Sequence, residues 1–550
     1  MKHTKSTLAL AVIAAAGLTA CGGDSGGGGN NADNGNGDNG DGNGTGQVGS
    51  IQGDVTNLDG RGDWGSIVLS GYGNINIAGA SDNNQALTEA VPDGVERYYG
   101  GTDNNDSNGS IEYAVVAETG TAFRQDEEVQ GVTIEASGSG TKLDHIQVIN
   151  SDDDGIEWFG GAADASNVVI QAATDDSLDQ DQGWQGTVKT ALVIQGPNSG
   201  NRGMETDNNG DDFGATPKTK PVLTNVTILG HRGNESDLTA GALHREGYGG
   251  KVFRSVYTDN TSSVAGGGSS VTSEFQEGCL DVDDEVDGDM EYGDVLFNCA
   301  AGAVSGEDGD GFQGTFQSSA EGDFTVDNDL TIDNQTLAIG TDETADGDSK
   351  GPFTTDSGNQ VTANDWHGAV DPSAGAPDTI PDNGGPFWDG WTYKSSDLST
   401  NLPGNVQDFH PLQAEIEAGD ITPADTSSAE ECNANVGNGD ITGLEYGGQT
   451  DVFGESFPVC VIDDGDLDGD FALSNDHVYV LNETVQVGNG DVESASDPST
   501  VANNTLTIDA GTQIFGNSNA QASLVITRGS EIDVNGTAEQ PVIFGGADFR

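Results

Sequence analysis

The sequence predicts an all-β protein, a right-handed parallel β-helix (solenoid) with rungs of about 22–26 residues, long loops and a disordered N-terminal tether. Three observations carry that expectation. Glycine is abundant, at 84 of 550 residues, while aromatics make up 6%, a balance that suits many short strands punctuated by turns. Short apolar segments recur about every 22–26 residues through the middle of the chain. Each recurrence holds two strand-like segments around a polar turn, which does not fit a β-sandwich with a strand roughly every 8–12 residues.

From the N-terminus, Lys2, His3 and Lys5 precede an apolar run from Leu8 to Leu18, too short to span a bilayer and right for the core of an export signal. It ends in Leu18-Thr19-Ala20-Cys21, which resembles the lipobox of bacterial lipoproteins. The resemblance implies that residues 1–21 are a lipoprotein signal peptide and that Cys21 is lipidated. Gly22 in the next position implies the outer membrane, and the expected location is the cell surface of a Gram-negative bacterium. Residues 22–50 are almost wholly Gly, Asn and Asp; they lack apolar surface to bury and read as a disordered linker.

Residues 51–427 read as the β-helix body. The clearest rungs begin at His145 (HIQVINSDDDGIEWFGG), Val168 (VVIQAATDDSLDQDQG) and Leu192 (LVIQGPNSGNRGMETD). Alternating apolar residues (Ile146 and Val148, Val168 and Ile170, Leu192 and Ile194) open each rung and are followed by a polar turn and a second short segment. The second segments align as Gly155-Ile156-Glu157, Ser177-Leu178-Asp179 and Gly203-Met204-Glu205, with a fourth rung in NVTILGHRG and Gly241-Ala242-Leu243-His244.

The segments GRGDWGSIVLSG, DGVERYYGG, GSIEYAVVAE, DDDGIEWFGG, GNRGMETD, GALHREGYGGKVFRS and PFWDGWTY together resemble a family of bacterial surface lipoproteins with the pectin-lyase-like right-handed β-helix. The resemblance implies a surface-displayed β-helix and carries no established reaction. Residues 428–550, with NDHVYVLNETVQVG, NNTLTIDAGTQIFG and EIDVNGTAEQPVIFGG, resemble the opening rungs of the same family, which normally come before WGSIVLSG. They read as an incomplete second copy or as a permuted chain.

Five cysteines are present. With Cys21 assigned to lipid, proximity in an exported chain pairs Cys279 with Cys299 and Cys432 with Cys460. No closely spaced Cys-x-x-Cys suggests a zinc site.

Eighteen basic residues against 92 acidic ones give a net charge of −74. Phosphate-contacting nucleic-acid binding needs clustered Lys and Arg and is excluded; the charge also argues against an anionic lipid surface, and the expected membrane contact is the lipid anchor alone. If Ile156, Leu178 and Met204 point inward, then Glu157, Asp179 and Glu205 project outward on successive rungs, with Asp181 and Asp207 two residues further on. Two carboxylates one rung apart repel by roughly 3–4 kcal/mol at an effective dielectric near 20. Such a comb calls for Ca²⁺, which takes six to eight oxygens; the alternative is a solvated acidic face. A second calcium candidate is Asp464-Gly-Asp466-Leu-Asp468-Gly469, the start of a D-x-D-x-D-G loop whose twelfth position is Asn475 and not Glu.

These readings give a lipid-anchored, Ca²⁺-stabilised surface protein for binding or adhesion, with a glycan or an outer-membrane protein as partner. Trp158, Phe159, Trp184, Trp388 and Trp391 are candidate sugar-stacking residues. The alternative is a Ca²⁺-dependent polysaccharide lyase or glycoside hydrolase, in which Arg202, Lys189, His244 or Arg245 supplies a base and Asp153, Asp154, Asp175 and Asp176 the paired carboxylates.

Overall fold

In the computed structural model, residues 60–546 are described, apart from internal segments of which the longest are 231–238, 260–274, 306–321, 341–349, 394–409 and 435–443. Cys21 and the linker lie outside the described residues. No helix among the described residues is long and apolar enough to cross a membrane.

The chain winds as a parallel β-helix. One face is an eleven-stranded sheet that runs from Val304–Ser305 through Leu178–Asp181, Ile156–Phe159, Val132–Glu135 and Ile67–Ser70 to Gly465–Leu467. Val132 pairs with Ile156, Ile156 with Leu178, and Asp179 with Glu205, so these rungs advance by 24, 22 and 26 residues. Parallel pairing follows because each strand returns to the face only after a full circuit.

The other two faces meet at a sharp corner one residue long. Strands Gly109–Ala117, Lys142–Ile149, Asp164–Gln171, Thr187–Ile194 and Val222–Leu229 each bend where a single residue has positive φ: Tyr113 (48°), His145 (56°), Asn167 (53°), Thr190 (65°) and Asn225 (57°). Pairing resumes beyond the corner, as in Glu112 with Asp144 and then Ala114 with Ile146. The bend lets residues three apart both point inward, so Leu143, Ile146 and Val148 share the core with Ala165, Val168 and Ile170 and with Val188, Ala191 and Val193. Leu192 and Ile194 face outward, in a separate apolar cluster with Val169 and Leu229. ALVI is apolar on both sides of the strand, so alternation could not decide which side is inside.

Those outward apolar residues are covered from the outside by described residues between Leu330 and Ile421. Leu330, Ile339, Val370 and Trp388 cover Leu296, Val256, Leu229 and Leu192. Tyr393, Leu412, Ile416 and Ile421 then cover Val115, Ile149, Ile543, Phe515 and Val478 on rungs towards the other end. Corner side chains hold this strap. Asn225 donates to the Trp366 carbonyl at 2.7 Å, Arg254 to the Asn364 carbonyl at 2.5 Å, and Gln147 accepts from the Tyr393 amide at 2.7 Å.

The strap delivers the chain to residues 428–550, whose strands occupy the rungs before Ile67. Leu524–Ile526 pairs with Ile67–Ser70, and Glu531–Asn535 and Val542–Gly546 pair with Gly109–Ala117. Buried Arg528 ties this segment to the loop around residues 85–100, donating to Gln85 Oε1 at 2.6 Å and to the Gly490 and Val492 carbonyls at 2.8 Å. Both expected disulfides are present, Cys279–Cys299 inside the stack and Cys432–Cys460 beside the antiparallel hairpin Leu444–Val452 and Glu455–Ile462.

Candidate functional site

The acidic turns converge on the outer side of the eleven-stranded face. Ile156, Leu178 and Met204 are fully buried in the core, so alternation turns Glu157, Asp179 and Glu205 outward, side by side on successive rungs. They are not solvated: Glu157 is 5% exposed, Asp179 2% and Glu205 4%. Two further carboxylates from the preceding turns close the group. Asp154 accepts from the Asp176 amide at 2.8 Å, and Asp176 accepts from the Arg202 amide at 2.5 Å, so each turn hands its carboxylate to the backbone of the next rung.

Three sets of carboxylate oxygens lie within 4.8 Å of one another: Asp154, Glu157 and Asp179; Asp176, Asp179 and Glu205; and, nearer the rim, Asp153, Asp154 and Asp175. Asp179 is shared by the two inner sets. Its Oδ1 is buried and has no hydrogen-bond partner among the described residues. Burial, and then the neighbouring charges of Glu205, Asp207 and Asp181, push the Asp179 carboxyl well above the ordinary range. Burial also raises Asp154 and Asp176, again with help from adjacent acids. Glu205 is pushed up to about 7 by burial against the opposing pull of Arg245.

Oxygen-only donors at this separation suit a hard cation. Ca²⁺–oxygen distances of about 2.3–2.6 Å place ligands across the ion roughly 5 Å apart. The orphaned Asp179 oxygen fits such a role, because a buried carboxylate oxygen without a donor is otherwise costly.

Other sequence candidates are placed differently. Arg245 clamps Glu205 Oε1 at 2.6 Å and both oxygens of Asp207 at 2.8 and 2.9 Å, so Asp207 is paired with the guanidinium and stands outside the three carboxylate sets. Asp181 lies opposite Phe159 and accepts from the Gln182 amide, and it too stands apart. Arg202 reaches Glu277 at 3.5 Å at the edge of the group. Lys189 sits on a different face, paired with Ser166 and Thr224. His244 points into the helix interior, between Thr206 Oγ1 at 2.6 Å and the Tyr292 hydroxyl at 2.5 Å, and stacks on Tyr248. Burial drives its pKa down to about 3, so it is a neutral interior group and not a base facing solvent. Asp464 and Asp468 lie outside the described residues. Asp466 is in a strand, opposite Gln486, where a calcium loop would turn.

The aromatics also need correction as surface platforms. Trp158 and Trp184 stack inside the core at 4.6 Å, Phe159 is buried, and Trp388 anchors the strap. Trp391 lines a cavity, with residues that sequence reading missed: Tyr113 and His145 at the corner and Phe387 and Asp389 in the strap. The corner pattern of inward residues three and then two apart was the signal available for the first two.

A face of stacked parallel strands with turn carboxylates at its edge is the architecture against which the whole chain can be compared. The family described as Pectate-lyase like beta helix domain matches residues 44–336 and 467–549. The chain belongs to that family. The two matched stretches of this pectate-lyase-like β-helix protein fall on the body and on the C-terminal rungs, and the break between them contains most of the strap. No curated protein matches the chain, and no solved structure matches it.

Proposed function

We propose that this β-helix protein is a lipid-anchored surface protein for binding or adhesion, stabilised by Ca²⁺ on its acidic face, with a glycan or an outer-membrane protein as its partner. The observation that supports it best is the shared position of Asp179, a buried carboxylate with an orphaned oxygen between two sets of acids. A cation there converts mutual repulsion into cohesion across three rungs. Asp154, Glu157, Asp176, Asp179 and Glu205 would hold it, and Arg245 orients Glu205.

Binding is favoured over catalysis because Arg245 is held by two carboxylates, His244 is sealed in the core, Arg202 reaches Glu277 at 3.5 Å and Lys189 lies on a different face. A net charge of −74 also repels a polyuronate substrate.

The test is a Ca²⁺ titration of purified protein followed by thermal melting, alongside a panel of neutral and acidic polysaccharides scored for binding and for unsaturated products. Chelation is expected to lower the melting temperature at matched ionic strength. The triple variant Glu157→Gln, Asp179→Asn, Glu205→Gln is expected to abolish that response. An unchanged melting temperature in chelator removes the cation from the proposal, and unsaturated products replace binding with lyase activity.

A further inference from the structure

The cavity at the corner of the helix, remote in the fold from the acidic face, has walls of a different chemistry. It encloses about 320 Å³ between the corner residues Tyr113 and His145 and the strap residues Phe387, Asp389 and Trp391, near the lower end of the roughly 300–1,000 Å³ typical of ligand pockets. Tyr113 and His145, on consecutive rungs, stack at 4.1 Å with planes 14° apart. Trp391 stands beside both at 5.7 and 5.6 Å, turned 87° and 75° to them. The two orientations form a floor and a side wall. Trp391 is fixed there because its Nε1 donates to the Phe387 carbonyl at 2.8 Å.

On the rung before Tyr113 the corner is replaced by a loop that follows Gly536, whose amide donates to the Glu112 carbonyl. That loop presents Ala538 to the cavity. A methyl group therefore stands where the next two rungs carry rings, and the difference is the space itself. Asp389 adds a carboxylate to the wall and is 6% exposed.

Perpendicular aromatic walls with a carboxylate attract a cation through ring quadrupoles and charge together. The whole-molecule charge of −74 adds to that attraction and opposes any anionic ligand. We infer that this corner cavity binds an organic cation of the trimethylammonium class, with Tyr113 and Trp391 as the cage and Asp389 as the counter-charge. A neutral sugar would use the same rings but gains nothing from the charge, so the comparison between the two decides the assignment. This inference is independent of the acidic face.

The full mature chain is titrated with choline chloride, with its uncharged isostere 3,3-dimethyl-1-butanol and with D-glucose, by calorimetry and by intrinsic tryptophan fluorescence. Choline is expected to bind at least tenfold more tightly than either neutral compound. Asp389→Asn should weaken choline binding about tenfold, and Ala538→Phe, which fills the space, should abolish it with the melting temperature retained. Tyr113→Phe keeps the ring and should keep binding, whereas Tyr113→Leu should lose it; this pair stands if Ala538→Phe fails to fold. Cosedimentation with phosphatidylcholine vesicles, competed by choline, would assign the source of the cation to a lipid headgroup, and binding of free choline alone would assign it to a soluble compound. Equal affinity for choline and its isostere, preference for glucose, or no choline binding overturns the inference.

Discussion

Asp179 lies directly opposite Glu205 on the neighbouring rung, and both carboxylates are buried. In chelator this pair makes stability depend on pH in a direction opposite to ordinary salt-bridged acids. Glu205 titrates near 4.5 in an unfolded chain and at about 7 in the fold, so the folded state retains a proton that the unfolded chain has lost. Its contribution is present below about pH 4.5 and is lost as pH rises through about 7. Asp179→Asn removes one of the two charges and should stabilise the chelated protein by about 1–3 kcal/mol at pH 8, with the gain shrinking as pH falls. His244, held at about 3, acts in the other direction below pH 6.5, so variant and wild type must be melted at each pH. A gain that is constant with pH would refute the assignment.

Reducing the two disulfides tests how the ends of the stack are secured. Cys279–Cys299 closes a span of 20 residues and Cys432–Cys460 one of 28, each corresponding to about 3 kcal/mol in the chain-entropy treatment. Cys432→Ala with Cys460→Ala should lower denaturant stability by about that amount. Peptide mapping without reductant checks the pairing, and cross-paired cysteines would contradict it.

Trp388 is fully buried between the strap and the outer face of the rungs. Trp388→Ala should cost about 3–5 kcal/mol and loosen the strap before the helix. Hydrogen exchange should rise first at the strap amides of Gly368, Ala369 and Tyr393, which donate to Arg254, Thr227 and Gln147 of the rungs, with the ladder amides of Leu192, Leu229 and Val256 still protected. Uniform loss of protection would mean that strap and helix unfold as one unit.

Cys21 carries the localisation proposal. Cys21→Ala should move the protein from the detergent phase to the aqueous phase in a phase-partition assay and abolish incorporation of labelled palmitate. Retention in the detergent phase would exclude the lipid anchor.

The rung period and the outward direction of Glu157, Asp179 and Glu205 were legible in the sequence, because Ile156, Leu178 and Met204 each have an acid after them at a fixed offset. The disulfides were legible from spacing. The frame of Leu192 was not, since a strand covered on both faces carries no alternation. Nor was the burial of Trp158 and Trp184, whose stacking partner is one rung away in space. His244 shows the same limit: nothing local says that Tyr292 waits on the inside to receive its ring nitrogen. The role of residues 330–421 as a cover became visible only when the apolar outer faces of distant rungs were lined up.

The place where the N-terminal chain joins the stack has a mechanical consequence. Residues before Gly60 lead into Ile67–Ser70, the fourth strand from one end of the eleven-stranded face, a face about 50 Å long at roughly 4.8 Å per strand. A pull applied through those residues meets the solenoid on its flank. Ile67–Ser70 is bonded on one side to Val132–Glu135 and on the other to Leu524–Ile526, so two neighbours share the load, whereas a strand at either tip has one.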